Sequence, residues 1–133
     1  MKTYRELPRE EFEDLASRIL YEDNHLLVVN KKVGEIVQGD KTGDTPLSEI
    51  VKAYIKDKYN KPGEVFLGVT HRLDRPTSGV VLFARTSKAL TRLNEMFKSH
   101  EKIKKTYWAI VQNAPKQPQA RLENWLVRNE KQN

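Results

Sequence analysis

The hydrophobic positions of the chain fall into short runs separated by polar stretches that contain glycine or proline. Two of these runs, residues 65–69 and 80–84, are rich in β-branched and aromatic side chains and predict strands. The second run has no polar alternation, which predicts that both of its faces are covered. The polar stretch 71–79 between them is therefore predicted to be a loop anchored on two strands.

The first half of the chain predicts two helices and a β-hairpin. Residues 8–19 place apolar side chains at helical spacing and predict a short acidic helix. Residues 19–22 and 25–30 predict a hairpin around a polar turn. Thr45 as N-cap and Pro46 as first helical residue predict a second helix, whose apolar stripe packs on the sheet.

The second half of the chain predicts one helix and two further strands. Ser87 is a suitable cap for a helix that runs to about Ser99 and buries its leucines, Met96 and Phe97. The alternation in residues 105–111 predicts a strand whose tryptophan packs in the core. Residues 122–127 predict a last strand, again with a tryptophan as an apolar anchor.

Together these elements predict an α+β fold with a mixed, mostly antiparallel sheet and flanking helices. At 133 residues, one small domain is expected. We divide the chain into an N-terminal helical arm at 1–18 and one domain at 19–133.

Composition narrows the function classes. The chain has no cysteine, which excludes thiol catalysis, cysteine-based zinc sites and disulfides. The sequence has no apolar run of membrane-spanning length and no signal-peptide core near its start, so no membrane partner is expected and the cytoplasm is the expected location.

The charge of the chain is distributed unevenly. The net charge is +6, yet residues 1–23 hold four basic and seven acidic side chains, so the remaining residues carry +9. Seven basic and two acidic side chains lie between Arg85 and Lys105. This excess of positive charge is typical of a protein that binds a partner rich in phosphate, RNA above all. A solvated helix face explains part of the excess equally well.

The candidate chemistry lies in the loop at 71–79, which reads His-Arg-Leu-Asp-Arg-Pro-Thr-Ser-Gly. A carboxylate on a loop held by buried strands is a common arrangement for catalysis. Read alone, the stretch is ambiguous, because Asp, Pro and Gly also make ordinary turns. The two arginines, Arg72 and Arg75, can also simply neutralise Asp74.

Three stretches together resemble the RluA-type RNA pseudouridine synthases. His71-Arg72-Leu73-Asp74 followed by Thr77-Ser78-Gly79 resembles the family's central signature. Asn30-Lys31 with Gly34 resembles its first motif, although Lys32 stands where the family usually has proline. The pattern Lys105-x-Tyr107-x-Ala109 resembles a third stretch, whose tyrosine enters the active site in the family.

The resemblance covers about residues 19–127 and implies the front part of the family's catalytic domain. The family's later motif, Thr-Gly-Arg followed by His-Gln-Ile/Leu-Arg, has no counterpart in residues 112–133. We therefore expect the chain to be truncated. The family's optional N-terminal S4-type domain has no counterpart in residues 1–18 either.

The resemblance also implies the reaction and its residues. It implies isomerisation of uridines in ribosomal or transfer RNA, with no cofactor and no metal. Asp74 is the implied catalytic carboxylate, acting either as nucleophile at ribose C1′ or as base at C2′, and Tyr107 the implied aromatic partner of the base. Arg72 is the implied contact with the RNA. We also predict Arg75 as an RNA-binding residue, and the dense positive charge after Arg85 adds Lys102, Lys104 and Lys105.

Two other interpretations remain. The chain can be an RNA-binding module, a truncated or degenerate homologue without catalysis. It can also be a hydrolase of the glycosidase type, in which Asp74 acts together with a second carboxylate. The possible second carboxylates are Asp40 and Glu64. His71 with Asp74 matches a loose two-ligand metal spacing, but without a third ligand we expect His71 to shape the loop instead.

Overall fold

Three helices and four strands occur in residues 6–129, the part of the chain that the computed structural model describes. The predicted α+β class is confirmed. In chain order the elements are α1 (Arg9–Arg18), β1 (Ile19–Glu22), β2 (Leu26–Lys31), α2 (Leu47–Lys58), β3 (Gly68–Val69), β4 (Gly79–Ala84) and α3 (Ser87–Ser99).

The four strands form one sheet in the order β1-β2-β4-β3. Every strand pair within the described residues is antiparallel, including the predicted hairpin of β1 and β2. Along the β2–β4 ladder, Leu26 lies opposite Ala84 and Lys31 opposite Gly79. The end of β2 therefore lies beside the start of β4, where the candidate loop joins β3 to β4.

The alternation of side chains along β4 separates two apolar clusters. Val81 and Phe83 are fully buried in the main core with α1 and α2, whereas Leu82 and Ala84 pack with α3 on the other face. The prediction that both faces of this strand are covered holds for these four residues. It is wrong for Val80, which is 58% exposed because α3 packs further along the strand.

The two later helices begin slightly differently from the prediction. α2 begins at Leu47, because Pro46 has an extended backbone (φ −75°, ψ 156°) and occupies the N-cap position that we assigned to Thr45. α3 begins at Ser87, and its cap is Thr86, whose side chain accepts a hydrogen bond from the backbone N–H three residues on (3.2 Å).

Helix α1 packs on the main core. Leu15 is fully buried there, and the ring of Phe12 lies 5.0 Å from the ring of Tyr54 on α2. The domain boundary at residue 18 stays a prediction. The first five residues of the predicted arm, like residues 130–133, lie outside the described residues.

Strand β3 is shorter than the predicted strand at 65–69. Only Gly68 and Val69 pair with β4. A Cβ atom at Gly68 would lie 2.8 Å from a Cδ atom of Leu90, so the missing side chain lets α3 approach this edge of the sheet.

The strands predicted at 105–111 and 122–127 are not formed. Neither segment pairs with a strand within residues 6–129, and Trp108 and Trp125 are 96% and 101% exposed rather than buried. Both strand predictions are wrong. Alternation alone does not form a strand, which also needs a neighbouring strand to receive its backbone hydrogen bonds and a surface to cover its apolar face.

Candidate active site

The candidate loop is held by a turn and by one buried side chain. The backbone N–H of Thr77 donates to the carbonyl oxygen of Asp74 (2.9 Å). Leu73 points into the main core, whereas Asp74 is exposed. Gly79 ends the loop with φ +142°, a conformation that other residues rarely adopt. The carboxylate is thus presented to solvent from a loop anchored in the core.

A buried lysine ties this loop to the end of β2. Lys31 is 1% exposed, and its ammonium donates to the carbonyl oxygens of Thr77 (2.7 Å), Lys32 (3.0 Å) and Arg75 (3.2 Å). Burial lowers the pKa of Lys31, and the negative charges of Glu35 and Asp74 act in the opposite direction. The loop therefore rests on a positive charge that has no hydrogen-bonded carboxylate within residues 6–129.

A reciprocal pair of hydrogen bonds adds to this anchor. The N–H of Gly34 donates to the carbonyl oxygen of Arg75 (2.8 Å), and the Arg75 guanidinium donates to the carbonyl oxygen of Gly34 (3.0 Å). The positive φ of Gly34 (+92°) shapes the backbone for this contact. The family's first motif thus lies directly beside the central one.

The guanidinium of Arg75 is bound to the loop at 40–44. It lies 2.9 Å from Asp44 Oδ2, 3.2 Å from Thr42 Oγ1 and 3.5 Å from Asp40 Oδ2. The hydroxyl and N–H of Thr42, with a smaller effect of Arg75, lower the pKa of the Asp40 carboxyl. We call this set of four side chains the Arg75 clasp.

Because Arg75 is bound in the clasp, the candidate carboxylate of Asp74 has no ion-pair partner in the described part of the chain. Among residues 6–129, no side chain forms a hydrogen bond or ion pair with the carboxylate of Asp74. The possibility that Arg75 neutralises Asp74 is therefore not realised. Arg72 is exposed and makes no ion pair or side-chain hydrogen bond within the described residues.

A cavity of about 380 Å³ lies beside the loop. Its walls come from the loop, β4, the end of α3 and the segment after it. Asp74 does not line this cavity, but the loop residues Leu73 and Ser78 do, and so does Tyr107, which is 59% exposed. The other lining residues are His71, Val80, Leu82, Phe97, Ile103, Lys104, Lys105 and Thr106.

The structure thus brings some of the candidate residues together and not others. Tyr107, Lys104 and Lys105 share one cavity with the loop, and the Lys105 ammonium lies 5.9 Å from the centre of the Phe97 ring. Lys102 does not line the cavity. Phe97, predicted only as core, is a cavity wall that the sequence analysis missed.

His71 supports the loop from within the fold. Its Nε2 accepts a hydrogen bond from the N–H of Leu82 (3.0 Å), and its ring stacks on Phe97 at 5.0 Å. This geometry confirms that His71 shapes the loop. Burial, and to a lesser degree the charge of Lys105, lower the pKa of His71. No group of three or more possible metal-ligating residues lies together within residues 6–129.

These contacts predict a pH dependence of folding. Since the pKa of His71 is lower in the folded chain than in the unfolded one, the unfolded state binds the extra proton as the pH falls below about 6.5. Stability from His71 is therefore complete above that pH and declines below it. We expect the free energy of unfolding, measured with urea from about pH 7.5 to about pH 5.5, to fall with pH.

The matched control is His71→Gln, which retains an acceptor but does not titrate. The decline above about pH 5.5 should be smaller in this variant, because the carboxylates with lowered pKa, such as Glu22, lose their contribution only at more acidic pH. An equal decline in both proteins would contradict the assignment to His71.

Comparisons with known proteins agree with this geometry. A family model described as RNA pseudouridylate synthase matches residues 25–133. The chain belongs to this family, and the resemblance to its RluA-type members is confirmed. The chain is 41% identical over 98 residues to ribosomal large subunit pseudouridine synthase C of Buchnera aphidicola (strain APS), a match that covers 74% of this chain and 29% of that protein.

Two further relatives show the same partial coverage. The synthase C of Escherichia coli K12 is 40% identical over 97 residues, which are 73% of this chain and 28% of that protein. The solved structure of human RNA pseudouridylate synthase domain containing 4 superposes with a TM-score of 0.58 at 27% identity, covering 68% of this chain and 33% of that one. The chain thus spans less than a third of the length of these bacterial relatives.

Proposed function

We propose that this chain carries the reacting carboxylate of an enzyme that isomerises uridine to pseudouridine in RNA. The observation that supports this most is the state of Asp74. Its carboxylate is exposed, unpaired within the described residues and fixed on a loop that borders a cavity. Membership of the pseudouridylate synthase family supplies the reaction.

The reaction sets the requirements for the site. The bond from ribose C1′ to uracil N1 breaks, a bond from C1′ to C5 forms, and the proton leaves C5 while N1 gains one. No net oxidation occurs, and apart from protons no atoms are exchanged with the surroundings. Asp74 attacks C1′ as nucleophile or removes the C2′ proton as base, and both roles require an ionised carboxylate.

The cavity provides a place for the detached uracil. Leu73, Val80 and Phe97 give it apolar walls, which retain a planar ring, and Tyr107 stands beside them to stack on the target base. Extruding a nucleotide from a stacked RNA costs a few kcal/mol. In this proposal Arg72 supplies part of the compensating contact with the RNA.

The role of Arg75 in this proposal is mainly to position the loop. Its guanidinium is already bound by Asp44, Thr42 and Asp40. The predicted RNA contact of Arg75 stays a prediction, and it requires a phosphate to share or replace these partners.

The proposed substrate is ribosomal RNA, because the bacterial relatives are named for the ribosomal large subunit. Transfer RNA stays the alternative, and comparison of conversion rates on the two RNAs separates them. No helix within residues 6–129 has the length and apolar character needed to cross a membrane. The cytoplasmic location stays a prediction.

The segment after α3 is proposed to bind the RNA backbone through Lys102, Lys104 and Lys105. Each phosphate contact on a single strand contributes about 0.7 to the slope of log affinity against log salt. We expect replacement of all three lysines by Gln to reduce this slope by about 2, as measured by fluorescence anisotropy with a ribosomal RNA fragment. Lys61→Gln, on the other face of the sheet, is the control. An unchanged slope in the triple variant would remove this segment from the RNA interface.

The first alternative is a module that binds RNA without modifying it. The observation in its favour is that Asp74 does not itself line the cavity beside its loop. The hydrolase interpretation needs a second carboxylate that works with Asp74. It is weaker, because Asp40 is already bound in the Arg75 clasp.

RNA that contains 5-fluorouridine separates enzyme and module. In uridine the hydrogen at C5 leaves as a proton, but the fluorine of 5-fluorouridine cannot leave as a cation. An active site is therefore expected to hold the rearranged base as a stable adduct. The proposal predicts a slowly migrating protein–RNA species on a denaturing gel. RNA binding without any such species would support the module.

A further inference from the structure

A second cavity, separate from the candidate active site, lies between the β1–β2 turn and helix α3. Its volume is about 330 Å³. It shares no lining residue with the first cavity, although α3 contributes to both, with Phe97 in the first and Leu93 in the second. We call it the α3 groove; its lining residues are Asp23, His25, Leu26, Lys88, Ala89, Arg92 and Leu93.

The bottom of the α3 groove is apolar. Ala89 and Leu93 are buried, and Leu26 packs against them as part of the smaller apolar cluster. A concave apolar surface of this size with a few polar groups at its edge is typical of a site for a small organic group.

Two cations that form no ion pair within residues 6–129 stand at the edge of this surface. Lys88 and Arg92 are four positions apart on α3 and therefore lie on the same side of the helix. Both are exposed, and neither forms an ion pair or a side-chain hydrogen bond within residues 6–129. Arg85 differs, since its guanidinium donates to the carbonyl of Asp23 and lies 4.6 Å from the Tyr59 ring.

The opposite wall carries a carboxylate that is already satisfied. Asp23 accepts hydrogen bonds from the N–H groups of His25 (2.8 Å) and Leu26 (2.7 Å) and from the hydroxyl of Tyr21 (2.7 Å). The Tyr21 bond, followed by the two backbone bonds, lowers the pKa of Asp23. The carboxylate stays ionised and repels phosphate, which confines an anionic ligand to the end with Lys88 and Arg92.

His25 is also fixed on this wall. Its Nδ1 lies 3.1 Å from the hydroxyl oxygen of Thr86, the residue that caps α3. The groove therefore has an apolar bottom and one wall held by hydrogen bonds. Its other wall carries two cations that are unpaired within the described part of the chain. A nucleotide has a ring with apolar faces linked to a negatively charged phosphate. It therefore matches an apolar surface beside two cations.

We propose that the α3 groove binds one nucleotide of the RNA outside the target uridine. The nucleobase lies on the apolar side chains of Leu26, Ala89 and Leu93. A phosphate of the RNA backbone contacts Lys88 and Arg92. Nine positions separate Lys88 from Phe97, about 14 Å along the helix axis, so a short stretch of RNA reaches from one cavity to the other. This inference rests on the proposed RNA substrate.

The test compares three forms of the whole chain by fluorescence anisotropy with a single-stranded ribosomal RNA fragment over a range of salt. The variant K88Q/R92Q removes the two cations. The variant R9Q/K61Q removes equal charge on α1 and after α2, which pack on the other face of the sheet. We expect the first pair to reduce the slope of log affinity against log salt by about 1.4, and the second to leave it unchanged.

At about 0.15 M salt this difference corresponds to roughly tenfold weaker binding by K88Q/R92Q. If the double variant does not fold, as judged by circular dichroism, the single variants K88Q and R92Q each reduce the slope by about 0.7. Equal slopes for K88Q/R92Q and R9Q/K61Q would overturn the inference, and so would a wild-type chain that does not bind the fragment.

The 5-fluorouridine adduct keeps this result apart from the proposed function. A wild-type chain that binds RNA through the groove but forms no adduct supports the inference and contradicts the enzyme. A wild-type chain that forms the adduct, with an unchanged slope in K88Q/R92Q, supports the enzyme and contradicts the groove.

Discussion

Asp74→Asn is expected to reduce the rate of adduct formation with 5-fluorouridine RNA by at least about 10⁴-fold. The amide has nearly the same shape as the carboxylate, but it is neither a nucleophile nor a base at neutral pH. Removing the reacting group of an enzyme costs this much or more. Because Asp74 is exposed and unpaired, the fold loses no hydrogen bond or ion pair within the described residues.

The control for this substitution is Asp57→Asn on α2, which packs on the other face of the sheet from α3. It removes the same charge and is expected to form the adduct at the wild-type rate. RNA affinity should be almost equal in the two variants. Adduct formation by Asp74→Asn at even a hundredth of the wild-type rate would show that another group performs the chemistry.

Lys31→Met is expected to lower the free energy of unfolding by about 3 kcal/mol. The substitution removes three hydrogen bonds from a charged donor, each typically contributing about 1.5–3 kcal/mol, and avoids the cost of burying the ammonium. The carbonyl of Arg75 still accepts from Gly34, but that of Thr77 loses its donor. Destabilisation therefore outweighs the gain.

The neighbouring Lys32 offers a matched control. Its ammonium forms an ion pair with Asp14 on the surface (2.7 Å), with both side chains about half exposed. Such pairs contribute at most about 1 kcal/mol, so Lys32→Met should change stability little. Urea unfolding of both variants gives the comparison. Lys31→Met as stable as Lys32→Met, with wild-type adduct formation, would show that the loop does not depend on Lys31.

Local patterns were sufficient to predict most of the elements that surround the site. The run at 80–84 and the stripe of α2 are strong periodic signals, and both elements form where the pattern indicates. The sequence also contains the signal for Lys31, because alternation with Leu27 and Val29 puts its side chain on the buried face of β2. Only the structure shows the carbonyl groups that it binds.

Contacts between distant segments were not predictable. Arg75 and Asp44 are 31 residues apart, and no local pattern connects an arginine to a particular acid in a polar loop. The strand predicted at 105–111 failed for a related reason. Its alternation is local, but pairing depends on a partner strand that residues 6–129 do not provide.

The basic segment from Arg85 to Lys105 looked like one patch in the sequence, and the structure divides it. Arg85 stacks on Tyr59, and Lys88 and Arg92 border the α3 groove. Lys104 and Lys105 come after the helix and line the first cavity. Charge counts along a sequence do not report which side of a helix each side chain occupies.

Release of tritium from RNA labelled at uridine C5 reports the isomerisation itself, because the hydrogen at C5 leaves only when the new bond from C1′ to C5 is made. We expect release by the unaltered chain with ribosomal RNA and none by Asp74→Asn. A folded, RNA-binding chain that releases no tritium, or equal release by the two proteins, would contradict the claim that Asp74 performs the isomerisation.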